Sequence, residues 1–185
     1  MPDFVPVLVA LLVVAVIAWL LYRRFRGGNR IDQLFRVIGH ARIDALVIPN
    51  GDDGEIQIDH LLLTSKGLLL LHIKEVTGSV FGSDKMSDWT VIAPERRYTF
   101  SNPQPGLYDR VAAVRQIVKD VPVEGRVLFL DGATFSKGVP SMVATIDELS
   151  DEFGESDPAA AGRKVDAFKP FWETLQSAAV SGKWS

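Results

Sequence analysis

Hydrophobic and polar positions divide this chain into blocks with different periods. Phe4 to Tyr22 contains no charged residue, with Pro6 its one breaker; such a run can cross a hydrocarbon core of roughly 30 Å as a helix. After a polar gap, Ile31, Leu34, Phe35 and Ile38 recur at helical spacing. Asn29 is placed as their N-cap, with Asp32 three residues on and Gly39 as the stop. Asp44 to Ile48 then reads as a strand ended by Pro49, and Asn50-Gly51-Asp52-Asp53-Gly54 as a turn.

The most informative block is Gln57 to Lys74, two apolar strands joined at Ser65-Lys66-Gly67, where glycine supplies the positive φ of a tight turn. Its polar residues gather far from the turn: Gln57, Asp59 and His60 on the first strand, His72 and Lys74 on the second. Two registers are open. A two-residue loop sets Asp59 opposite His72 and Gln57 opposite Lys74, with all four side chains on one face. A three-residue loop with Gly67 as a bulge sets Asp59 opposite Ile73 and His60 opposite His72, sending Asp59 and Lys74 to opposite faces. Chemistry shared by Asp59 and Lys74 requires the first.

Downstream, Glu75 to Gly82 reads as strand running into a turn, and Trp89 to Ile92 and Arg96 to Phe100 as short strands, with Trp89 in the core. Pro103 and Pro105 introduce a helix carrying Leu107, Val111, Val114 and Val118 on one face. Val127 to Leu130 and Met142 to Thr145 are further strands. Asp157-Pro158 opens a final helix, kinked or broken at Pro170. Strands in the middle and helices at both ends give one α/β domain.

Charge orients the apolar run. Arg23, Arg24, Arg26 and Arg30 follow it, while Asp3 is the one charged side chain before it. The positive-inside rule then places the N-terminus outside the cell membrane and the rest in the cytoplasm. A cleaved signal peptide would show a basic start and a small-x-small site, and neither is present. The expected organisation is a transmembrane anchor over residues 1–22, a basic tether over 23–28 in which Gly27-Gly28 break the helix, and a cytoplasmic domain over 29–185. Without Asp3 and those four arginines, 16 basic side chains stand against 22 acidic ones, a net charge near −6. That balance argues against holding nucleic acid by phosphate neutralisation. The absence of cysteine excludes thiol chemistry, and neither G-x-x-x-x-G-K-[ST] nor G-x-S-x-G occurs. Asp52, Asp53 and Glu55 lack the twelve-residue spacing of a calcium loop and read as a solvated hairpin tip.

The central block remains the place for chemistry. A carboxylate such as Asp59 is a hard oxygen ligand for magnesium, and a neighbouring lysine stabilises charge developing on a phosphoryl group. Gln57-Ile58-Asp59-His60, Gly67 before an apolar strand ending in Ile73-Lys74, Gly78-x-Val80-x-Gly82, Trp89 and Asn102-Pro103 occur in this order. Together they resemble the NERD (nuclease-related domain) family, placed within the PD-(D/E)XK nuclease-like superfamily. The resemblance implies a restriction-endonuclease-like α/β fold, with a mixed central sheet flanked by helices and here preceded by one transmembrane helix. It also implies metal-dependent phosphodiester hydrolysis, with Asp59 and Lys74 catalytic, Mg2+ (or Mn2+ as substitute) held by Asp59 and His72, and nucleic acid as substrate.

The chain departs from that pattern. His72 stands where the E-x-K motif has its glutamate, and imidazole favours zinc, copper or iron over magnesium. Asp32 is the nearest acid to the family's helix glutamate, and Gln104 is a displaced counterpart of the glutamine that follows Asn-Pro. Two other readings are therefore carried. One is a catalytically inactive, membrane-anchored interaction module, with Asp59 and His72 a structural pair. The other is a transition-metal site from His60, His72 and Asp59, which needs the three-residue loop.

Overall fold

A computed structural model describes residues 4–50, 54–155 and 157–179 and, within them, all side chains except those at 4–8, 10, 20–29 and 158. Asp52 and Asp53 lie outside the described residues, and so do the side chains of Arg23, Arg24 and Arg26. The chain divides into two compact units, Met1–Gln33 and Leu34–Ser185.

The first unit is built on α1 (Phe4–Ile38), whose residues from Leu34 belong to the second. Gly27 and Gly28 do not break this helix, and Asn29 caps no new one. An interior glycine costs about 1 kcal/mol against alanine, too little to stop a helix that no proline interrupts there. Gly39 does end it, its N–H bonding the Phe35 carbonyl at 2.9 Å. The consecutive side chains Leu11, Leu12, Val13 and Val14 are 63, 64, 52 and 62% exposed, although they point in four directions around the axis. Among the described residues no helix is long and apolar enough to cross a membrane. What the described side chains show in place of the expected span is an exposed apolar stretch of α1 from Leu11 to Trp19.

The second unit holds two mixed sheets. The larger has the order β1-β2-β3-β7-β9, from β1 (Ala41–Asn50), β2 (Gly54–Thr64), β3 (Gly67–Lys74), β7 (Val123–Phe129) and β9 (Val143–Ala144). Its first three strands are antiparallel, and β3-β7 and β7-β9 are parallel. The smaller has the order β6-β5-β4-β8, from β4 (Gly78–Phe81), β5 (Asp88–Ile92), β6 (Arg97–Ser101) and β8 (Ala133–Phe135). Pro49 does not end β1, because β1 is an edge strand and proline costs no ladder bond on the open side.

Leu61, Leu63, Leu68, Leu70, Val123 and Val127 bury one face of the larger sheet beneath α2 (Gln104–Ile117) and α4 (Pro158–Ala178). Leu107, Val111 and Val114 come from α2, and Val165, Trp172 and Leu175 from α4. Leu62, Leu69 and Leu71, buried on the other face, lie toward the end of α1 and α3 (Ile146–Phe153). Trp89 is fully buried, edge-on to Phe100 and stacked on Phe129. Asp157 caps α4 as expected, accepting from the N–H groups of Ala159 and Ala160. Pro170 does not end α4, which runs on to Ala178.

The hairpin takes the two-residue loop. Thr64 pairs with Gly67 and His60 with Leu71, which brings Asp59 opposite His72. The Thr64 hydroxyl donates to the Gly67 carbonyl at 2.9 Å and accepts from the Lys66 N–H at 3.1 Å, so one buried side chain closes the turn. Gly67 has φ +120° and lies against the Pro122 carbonyl, which accepts from Leu68 N–H at 2.8 Å. A side chain at 67 is excluded on both counts.

A second local feature lies opposite Asp59. Ala45 has φ +52° and is flanked by the pairs Asp44–His60 and Leu46–Ile58. At this point both strands switch faces. Ile58 joins the core under α2 and α4 together with Leu61 and Leu63, although strict alternation would put it on the other side.

Candidate functional site

Asp59 occupies the face switch of β2, and His72 and Lys74 the last turn of alternation in β3. The His72 Nδ1 hydrogen-bonds the Asp59 Oδ2. An ionised carboxylate only accepts, so Nδ1 carries the proton and Nε2 is left facing away. Lys74 lies two residues beyond His72 on a regular strand and therefore on the same face. Its ammonium sits 5.6 Å from the centre of the Phe100 ring, which packs edge-on to Trp89. Asp59 and His72 are thus in contact, and Lys74 shares the face of His72, as the two-residue loop requires.

Gln57 is not part of this group. The switch at Ala45 and Asp59 leaves Ile58 facing the core, so the Gln57 side chain turns to the opposite side and is exposed. Its backbone is used instead: the Gln57 carbonyl accepts from Arg110 Nε at 2.7 Å, holding a guanidinium from α2 beside the strand. Arg110 had no sequence signal that tied it to Gln57.

His60 belongs to the other face. Its Nδ1 bonds Asp44 Oδ1 at 2.7 Å, and its ring lies 5.4 Å from that of Phe35. Asp44 is also paired with Arg42 at 2.9 Å. The transition-metal reading from His60, His72 and Asp59 is overturned, because the sheet separates the two histidines.

Gln104 is a tie between loops. It is 2% exposed; its Nε2 donates to Asp84 Oδ1 at 3.1 Å, and its Oε1 accepts from Met142 N–H at 3.0 Å. Asp84 Oδ1 also accepts from Ser141 N–H at 2.8 Å. The Ser141 backbone, followed by the Gln104 amide, holds the Asp84 carboxyl below the usual carboxylate range. Asn102 accepts from Gln104 N–H and donates to the Met86 carbonyl, so the Asn102-Pro103-Gln104 stretch joins three loops. These residues support the fold, and none touches Asp59, His72 or Lys74.

The donor set can be tested against a hard divalent cation. Magnesium asks for about six oxygen ligands in near-octahedral array. Here one carboxylate is available, and one of its oxygens is engaged by His72. Among the described residues no group of three His, Cys, Asp or Glu side chains is placed to hold a metal. The side chains do not fit the group that the E-x-K pattern implies.

Comparison with known proteins agrees with the order of motifs. The chain is 27% identical over 63 residues to an uncharacterized protein of Bacillus anthracis, a stretch covering 34% of this chain and 30% of that one. It thus spans about a third of the length of that curated relative. No solved structure matches. Residues 23–130, more than half of the chain, match the nuclease-related domain, and the protein belongs to the NERD family.

Proposed function

We propose that this protein is a membrane-tethered NERD module of nuclease ancestry whose ancestral site hydrolyses no phosphodiester. The observation that carries this reading is the hydrogen bond from His72 Nδ1 to Asp59 Oδ2. It engages the one carboxylate of the motif with a residue that takes the place of the second. The tether is supported by α1, whose described side chains from Leu11 to Trp19 are apolar and exposed all round the axis. A helix apolar on every side is stable where its surroundings are apolar too. The arginines after it favour a cytoplasmic domain with the N-terminus outside. With 22 acidic side chains against 17 basic ones over residues 29–185, the module suits a protein partner better than non-specific nucleic acid.

One observation favours a second reading, an active divalent-metal nuclease: Asp59 and Lys74 share a face. Full-length protein, incubated with labelled DNA or RNA and Mg2+ or Mn2+, separates the two. The module reading expects wild type, Asp59→Ala and Lys74→Ala to be equally inert. EDTA-sensitive cleavage that both substitutions abolish overturns it and establishes the nuclease. Extraction of the protein from membranes by carbonate alone would remove the tether.

A further inference from the structure

We infer that His72 shuts this site to hard divalent cations by occupying the carboxylate that would have to bind them, and that position 72 alone decides the matter. The inference deepens the module reading and uses the same site, but it concerns metal rather than cleavage.

Asp59 and His72 are both accessible, with side chains 34 and 23% exposed, so burial does not keep ions out. What opposes them is the donor set. A cation at Asp59 must displace a hydrogen bond to a charged acceptor, one of the stronger kinds. It must also do so beside Lys74, a like charge on the same face. The side chain observed on Asp59 is the His72 ring, a donor; Lys74 shares the face of His72, and the Arg110 guanidinium is held nearby along the strand on the Gln57 carbonyl. Asp59 therefore already has a hydrogen-bond donor within the chain. A glutamate at 72 would reverse this. It would put a second carboxylate on the same face and directly across from Asp59, beside a lysine that no carboxylate of the described residues pairs with.

The test is a manganese titration of the full chain in detergent, read by the loss of the free-ion paramagnetic resonance signal. Wild type, D59N, H72E and D59N/H72E are compared in it. Wild type and D59N should bind alike, with no site that depends on Asp59. H72E should gain one site about tenfold tighter or more, lost again in D59N/H72E. Wild-type binding that D59N removes overturns the inference. So does a folded H72E, judged by its circular dichroism, that binds no better than wild type. Should H72E not fold, H72D carries the same expectation and the same refutation. Failure here is distinct from failure of the functional reading: manganese bound without cleavage sinks the inference alone, whereas cleavage in EDTA sinks the module reading alone.

Discussion

Gly67→Ala is the sharpest probe of the turn that puts Asp59 across from His72. An added Cβ would lie 2.3 Å from the Pro122 carbonyl oxygen and 3.0 Å from the Pro122 carbonyl carbon, at a residue with φ +120°. Neither obstacle is the end of a flexible side chain; both are backbone. To accept the methyl, β3 must draw back from Pro122, breaking the Leu68 N–H bond to that carbonyl at 2.8 Å, just where β3 begins to pair with β7. Backbone strain contributes about 1–3 kcal/mol. A stranded buried group adds about 1–3 kcal/mol. The stiffer unfolded chain returns about 0.4–1 kcal/mol. The expected net loss is about 1–5.6 kcal/mol, measured by urea unfolding of the full chain in detergent and followed by tryptophan fluorescence. Gly138→Ala is the internal control. Gly138 also has a positive φ, +96°, but nothing lies within 4 Å of an added Cβ, so it should show strain alone. If Gly67→Ala costs no more than Gly138→Ala, the close approach to Pro122 is not what fixes the turn.

Other expectations concern the tie between loops. Gln104→Leu keeps the volume but strands the Met142 N–H and removes a donor from Asp84. It should cost about 2–4 kcal/mol in the same unfolding assay, and a loss below about 1 kcal/mol would mean that Gln104 is only filling space. Asp84 should link stability to pH. Its folded pKa is lowered, so its contribution is complete above the unfolded value of about 3.9 and is lost as pH falls through the folded one. The stability gap between wild type and Asp84→Asn should therefore narrow below about pH 4; a gap constant from pH 7 to pH 3 would contradict the assignment.

How much of this was legible follows from where each determinant sits. The hairpin announced itself, because a glycine after two polar residues between leucine runs has few other uses. Its register did not. Leu61 to Leu63 and Leu68 to Leu71 are apolar on both faces because both faces are covered, so a one-residue slip leaves no trace in the pattern. The deciding contacts are a threonine hydroxyl inside the turn and a proline carbonyl far along the chain. Gln57 was misplaced because Ala45 takes a conformation that glycine usually signals, and no glycine stands there. The smaller sheet was only partly readable, since strands as short as β4 and β8 carry almost no alternation. By contrast, α3 was readable and missed: Thr145 and Glu148 form a reciprocal capping box, three residues apart in sequence.

The same distinction governs the site. The order of motifs placed Asp59 and Lys74 on neighbouring strands, and the turn then set them on one face, which is all that a motif can specify. Whether an acid can hold a metal depends on what already holds the acid. At Asp59 that is the imidazole directly across the hairpin, and no count of carboxylates along the chain distinguishes a free oxygen from an engaged one. On the proposed reading, the histidine in the place of the E-x-K glutamate acts twice. It removes a ligand, and it supplies a donor that satisfies the ligand left behind. A glutamine in the same place would remove a ligand with less hold on the acid, because its amide lacks the fixed aim of a ring nitrogen. On that reading the histidine accounts for more of a departure from a magnesium site than the missing glutamate alone.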